Sequence, residues 1–245
     1  MLPSIWIIDT YSLMMFFGVI ACFILFWMYR KKHNISEKYT FDIFILACIA
    51  IAIGIASAVG FQVIFDLIKG EVRGTAMTFY GGLVGGVISF LLGYFLVIKK
   101  MYPEANFIND IIPIAPACIT VAHAFGRVGC FMAGCCYGVE TDSIFGVVFP
   151  GMDHAVYPTQ LFEAIFLFIS SAVLFILAIK KKWIHNLGLY LFCYGIFRFL
   201  LEFLRGDDRG GFILGLSPSQ AFSVVALLIS VGLYFYFKFK KVKSN

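Results

Sequence analysis

The 245-residue chain is 61% apolar and 18% aromatic, with only 13% charged residues and a mean hydropathy of +0.93. Soluble domains carry roughly a quarter of charged residues, so this composition excludes a water-soluble globular domain and points to an integral membrane protein. The net charge of +5 does not indicate nucleic acid, because the basic residues fall in short runs between apolar stretches, the pattern of cytoplasmic loops.

The N-terminal stretch MLPSIWIIDTYSLMM has no basic region ahead of its apolar residues and no small-residue cleavage site, and reads as retained. Crossing a bilayer takes about 20 helical residues. Apolar stretches of that length predict seven spans, near 11–29, 42–65, 80–98, 109–126, 158–179, 186–204 and 217–237, in one all-α polytopic domain over 1–245. Arg30, Lys31, Lys32 and Lys38 flank the first loop, Lys99 and Lys100 the third, and Lys180, Lys181 and Lys182 the fifth. With Lys238, Lys240, Lys241 and Lys243 in the tail these make 13 of the 19 basic residues. The alternate loops hold Lys69, Arg73, Arg127, Arg205 and Arg209, so the charge bias predicts the N-terminus outside and the C-terminus in the cytoplasm.

The third span opens TFYGGLVGG. Its Gly81 and Gly82 allow either close helix packing or approach of backbone to a ligand, and Tyr80 reads as an interfacial belt residue or as a donor in a site. Pro113 and Pro116 interrupt the fourth span, and broken helices at membrane depth line cavities or pack inside protein. The stretch GRVGCFMAGCCYG at 126–138 is expected just past that span, on the outer side. Arg127 is the strongest single candidate, because a guanidinium offers a fixed fork of donors that matches phosphate. Gly126 and Gly129 beside it, and Gly138 further on, would let backbone come close to such a group. His123, four residues before Arg127, either reaches the same cavity or is a satisfied core histidine.

Cys22, Cys48, Cys118 and Cys193 lie in apolar runs, where cysteine behaves as a small hydrophobe. Cys130, Cys135 and Cys136 admit a metal site, a disulfide or a nucleophile. Adjacent cysteines with an isolated histidine do not match the paired spacing of zinc sites, so no metal and no cofactor are expected.

The fifth span begins VYPTQLFEAI, with Pro158 where it removes no hydrogen bond and with Gln160 and Glu163 in the first two turns. Glu163 is either helix-dipole compensation or part of a site. In YGIFRFLLEFLRGDDRG, Tyr194, Arg198 and Glu202 are four residues apart on one face, and Arg205 continues it. A charge in mid-membrane is costly and marks a functional site by default; the plainer reading of Arg198 and Glu202 is a structural ion pair. Asp207 and Asp208 with Arg209 suggest a solvated outer turn. Together these stretches propose a site at outer-leaflet depth suited to a phospholipid head group.

These residues resemble the prolipoprotein diacylglyceryl transferases, bacterial inner-membrane enzymes that move a diacylglyceryl group from phosphatidylglycerol to the lipobox cysteine of a prelipoprotein. The resemblance runs from about Tyr80 to Gln220. The family signature Gly-Arg-x-Gly-Asn-Phe-x-Asn-x-Glu-x-x-Gly is similar to 126–138, with Cys130 and Ala133 where it has asparagine and Cys135 where it has glutamate. Tyr80-Gly81-Gly82 resembles its His-Gly-Gly, with tyrosine in the histidine's place. YPTQLFE and YGIFRFLLEFLR resemble its Pro-x-Gln-x-x-Glu and Tyr-Gly-x-x-Arg-x-x-x-Glu-x-x-Arg segments. The resemblance implies that Arg127 and Arg198 hold and polarise the lipid phosphate while Glu202, Arg205 and Tyr194 shape the pocket. Gly81, Gly82, Gly126, Gly129, Cys130, Gly138, Gln160 and Glu163 would then contribute to substrate binding, and Tyr80 or His123 would take over deprotonation or positioning. It implies phosphatidylglycerol, a prelipoprotein signal peptide and membrane lipids as partners of a monomer in the bacterial cytoplasmic membrane. Two other readings stand beside it: a transferase of the same fold with a different acceptor, and a non-catalytic phospholipid-binding protein.

Overall fold

Inside lipid each backbone N–H and C=O has to be satisfied within its own element, which favours continuous helices wherever the apolar runs are long enough. The computed structural model describes residues 4–5, 8–69, 79–206 and 215–243. Among them seven helices are long and apolar enough to cross a membrane, as the sequence predicts.

Strands β1 (Ser4–Ile5) and β2 (Ile8–Asp9) form a two-residue antiparallel ladder ahead of α1 (Thr10–His33). Asp9 caps α1, its Oδ2 accepting from the backbone N–H of Ser12 at 3.1 Å, which satisfies one of the donors a helix start leaves open. Helix α2 spans Glu37–Lys69 and α3 spans Phe79–Gly93, the latter continued by a π-helical turn at Tyr94–Ile98 and the short α4 (Lys99–Met101). After α5 (Phe107–Asp110) come α6 (Ala115–Met132), α7 (Thr159–Lys181), α8 (Asn186–Leu201) with a 3-10 turn at Glu202–Leu204, and α9 (Pro218–Lys243).

The fourth span differs most from expectation. Its helix starts at Ala115, not near 109, because Pro116 fits only the first turn of a helix. The preceding residues close a separate turn, with the Ala115 N–H on the Ile111 carbonyl at 2.9 Å. The Pro113 carbonyl is satisfied from outside, by the amide of the buried Asn186 at 2.7 Å. Consequently the helix runs on to Met132, and Gly126 to Met132 lie inside it instead of following it.

The chain divides into two compact units, Arg30–Asn106 and the remainder, Met1–Tyr29 with Phe107–Asn245. In the smaller unit α2 and α3 pack through small residues, as helices in lipid do. A Cβ on Gly82 would lie 3.2 Å from that of Ala58, and one on Gly81 would lie 2.8 Å from that of Phe61. The Ser57 hydroxyl donates to the Gly81 carbonyl at 2.9 Å. Thus Gly81 and Gly82 permit the close approach of α2 and α3. The outward faces carry Phe16, Leu67, Phe95, Ile165 and Leu228 exposed, the surface expected of helices whose solvent is hydrocarbon.

Candidate active site

Within the larger unit, the C-terminal half of α6, the first turns of α7, the end of α8 and the start of α9 supply an ionic network. Arg127, five residues from the end of α6, sets its Nε 2.9 Å from the Glu163 Oε2 on α7. Glu163 is fully buried. Its other oxygen accepts from the Tyr194 hydroxyl of α8 at 2.7 Å and lies 3.5 Å from the His123 Nε2 of α6. The His123 ring stands edge-on to Tyr194, with centroids 5.6 Å apart. Helix-dipole compensation alone would leave Glu163 facing water; burial against three polar groups from two other helices assigns it to the network.

A second pair follows one turn along α8. Arg198 and Glu202 are both buried, with Nη2 2.6 Å from Oε2, the contact their four-residue spacing predicts. Arg198 Nη2 also donates to the Ser219 hydroxyl at 2.9 Å, and Glu202 Oε1 accepts from the Ser217 hydroxyl at 2.8 Å. The two pairs are electrically linked, since Glu163 senses both Arg127 and Arg198. Each arginine keeps unused donors: nothing among the described residues bonds the terminal nitrogens of Arg127, and Arg198 Nη1 is buried without a partner.

Sequence reasoning missed Ser217 and Ser219, although SPSQ carries the signal. It is a capping box, in which the Ser217 hydroxyl accepts from the Gln220 N–H at 3.2 Å and Gln220 Oε1 accepts from the Ser217 N–H at 3.0 Å. The cap thereby fixes the hydroxyl that holds Glu202. Ser217→Ala is expected to lower stability by about 1–3 kcal/mol, combining a lost cap with an unsatisfied buried carboxylate. Thermal unfolding in detergent measures it, and an unchanged midpoint refutes the linkage.

Beyond α6 the chain doubles back through Gly134 and Cys136, both in left-handed conformations at φ 69° and 65°. Buried residues of α7 hold this loop: the Gln160 amide donates to the Cys135 carbonyl and the Thr159 hydroxyl to the Cys136 carbonyl, each at 3.1 Å. Gln160 Oε1 remains without a partner. Gly138 admits no side chain, because a Cβ there would run into the Leu204 carbonyl. The Cys130, Cys135 and Cys136 sulfurs come within 4.8 Å of one another, and none of the cysteines is in a disulfide. The Cys130 thiol hydrogen-bonds to Cys136 and, with a second bond from Cys135 and the charges of Arg205 and Arg127, holds the Cys136 thiol down to about 5 against the opposing effect of burial. Linear spacing leaves a metal site, a disulfide or a nucleophile open at these cysteines; the return of the chain at Gly134 brings the three sulfurs together.

Other candidates fall elsewhere. Gly129 faces α1, where a Cβ would lie 2.9 Å from the Tyr11 ring, so it permits helix packing, and Gly126 faces Met15 at ordinary contact distance. The Arg205 N–H closes the turn on the Glu202 carbonyl at 3.1 Å, and its side chain lies near Cys136. Tyr80 lies in the smaller unit and its side chain falls outside the described residues, as do Asp207, Asp208 and Arg209. An apolar cleft of about 530 Å³ between α8 and α9, lined by Trp183, Leu189, Tyr234 and Phe237, opens at the other end of α8 from Glu202.

The family model described as prolipoprotein diacylglyceryl transferase matches residues 2–236. A phosphatidylglycerol–prolipoprotein diacylglyceryl transferase of Clostridium tetani is 32% identical, covering 94% of both chains. A second, from Clostridium perfringens, is 30% identical over 97% of this chain and 94% of its own. One from Rickettsia africae is 31% identical over 91% of this chain and 89% of its own.

Proposed function

The chain belongs to the prolipoprotein diacylglyceryl transferase family, and from that premise we propose that it transfers a diacylglyceryl group from phosphatidylglycerol to the lipobox cysteine of a prelipoprotein, releasing glycerol phosphate. One observation carries this reading: Arg127 and Arg198 are each neutralised on one side by a buried carboxylate and keep donors unused on the other. Two such guanidinium groups suit a phosphodiester that gains charge as its ester bond breaks, and preorganised cationic donors are the largest catalytic term in reactions of that kind.

In this scheme the attacking sulfur belongs to the peptide, and a C–S bond replaces the C–O bond between glyceryl carbon and phosphate. Glu163, itself held by Tyr194 and beside His123, holds Arg127, while Ser219 and Glu202, the latter bonded by Ser217, hold Arg198. The basic loops favour an orientation with this end of the bundle outside a bacterial cytoplasmic membrane, where the acceptor peptide emerges. Tyr80, Cys130, Ala133 and Cys135, at positions where the family has histidine, asparagine, asparagine and glutamate, favour a second reading in which the donor is the same and the acceptor differs.

Reconstitution with acyl-labelled phosphatidylglycerol and a lipobox peptide tests both. A diacylglyceryl thioether on the peptide is expected, reduced at least about 10²-fold in Arg127→Ala. Release of glycerol phosphate without thioether would select the second reading. Full activity in Arg127→Ala would remove the proposed phosphate site.

A further inference from the structure

Cys130, Cys135 and Cys136 place three sulfurs within 4.8 Å of one another at the end of α6. Cys130 follows Arg127 by three residues and so shares its helical face, and Cys136 lies within electrostatic reach of both Arg127 and Arg205. We propose that these three thiolates hold a thiophilic divalent cation of the zinc class whose fourth position is open to the acceptor's thiol, an inference that rests on the diacylglyceryl-transfer reading.

Geometry, rigidity and charge each support it. Tetrahedral zinc with sulfur at about 2.3 Å separates its sulfurs by about 3.8 Å, and the three sulfurs here already lie within 4.8 Å of one another. The backbone is already held for the purpose: Gln160 and Thr159, both fully buried, bind the carbonyls of Cys135 and Cys136. Cys136 sits at φ 65°. A non-glycine residue there costs about 1–3 kcal/mol, and such strain collects at functional sites. Three thiolates with a dication leave one negative charge, in a place where Arg205 and Arg127 both act on Cys136.

The ligand count also points to chemistry beyond structural support. Structural zinc sites are closed by four protein ligands, whereas catalytic ones keep a position for water or substrate. Among the described residues the group comprises three sulfurs. Cys135 is exposed, and Cys135 and Cys136 line an open cleft of about 590 Å³ together with Gly138, Glu140 and His154. In this proposal a peptide thiol enters by that cleft, which two of the three cysteines line.

Such a site answers what activates the thiol in a chain with tyrosine at position 80. A thiol that coordinates such a cation is deprotonated outright, and its proton passes to water. The metal-bound thiolate attacks the glyceryl carbon; the C–S bond forms as the C–O bond breaks, and the electron pair stays on the phosphate oxygen. Glycerol phosphate leaves from between Arg127 and Arg198, and the neutral thioether, a weaker ligand than a thiolate, vacates the cation.

The test uses the reduced, chelator-treated full chain titrated with Co²⁺. One equivalent is expected to bind with an intense thiolate charge-transfer band, displaceable by Zn²⁺. Cys130→Ser, Cys135→Ser and Cys136→Ser are each expected to weaken binding beyond the about 10–100-fold that outer-shell changes cost. A lipobox peptide should intensify the band, and the same peptide with serine for cysteine should not. Absence of the band, or a band indifferent to the peptide thiol, overturns the inference. Metal-free protein that makes thioether at the rate of the Zn²⁺-loaded protein overturns it too, while leaving the transferase reading intact. A peptide-sensitive band in protein that makes no thioether supports the site and overturns the transferase reading instead.

Discussion

Arg198→Ala is expected to reduce thioether formation by about 10²–10³-fold while the protein remains folded and membrane-inserted. The magnitude is that of deleting one preorganised donor at a developing anion, and the geometry explains why Arg198 should act as one. Its Nη2 is occupied by Glu202 and Ser219, so the guanidinium plane is fixed, and its buried Nη1 has no protein partner. A purely structural arginine at this depth would satisfy both terminal nitrogens within the protein, because a buried donor left open costs about 1–3 kcal/mol. Arg198→Lys keeps the charge but not the fork, and its activity is expected to stay within about tenfold of the alanine variant. Wild-type activity in Arg198→Lys would show that only charge matters; wild-type activity in Arg198→Ala would return the pair with Glu202 to a structural role.

What could be read from the sequence divides along physical lines. The seven spans and the α8 ion pair were legible, because helix length in lipid and i,i+4 neighbours are local properties of the chain. The pairing of Arg127 with Glu163 was not, since it joins residues 36 positions apart on different helices and depends on the rotation of α6 about its axis. That rotation was obscured further by the fourth span, placed near 109–126 when Pro116 moves its start to Ala115. The cysteine cluster was hidden for another reason. Its formation requires left-handed backbone at Gly134 and Cys136, and nothing in the identity of Cys136 announces that conformation. Ser217 was legible in principle from its capping box, but its bond to Glu202 depends on how α9 packs on α8.

The largest stability effect is expected at Glu163. Glu163→Leu removes the counterion of Arg127 and the acceptor of the Tyr194 hydroxyl together, and breaking a buried pair on one side costs about 3–5 kcal/mol. The Arg127 Nε and Glu163 Oε2 are 2.9 Å apart yet not aligned as a hydrogen bond, so their coupling is mainly Coulombic and should vanish when both charges go. The double variant Arg127→Met with Glu163→Leu is therefore expected to regain most of the lost stability, because well-packed apolar residues replace a buried ion pair at little or no net cost. Activity should return in neither variant, since both lack an oriented Arg127. Thermal unfolding and thioether formation, measured on the same preparations, separate the two roles. A double variant no more stable than Glu163→Leu would mean that Tyr194 and His123, not Arg127, are what Glu163 stabilises. Recovery of stability without activity is the result that assigns the ion pair to holding a catalytic arginine in position, at a site where an apolar pair would have served folding alone equally well.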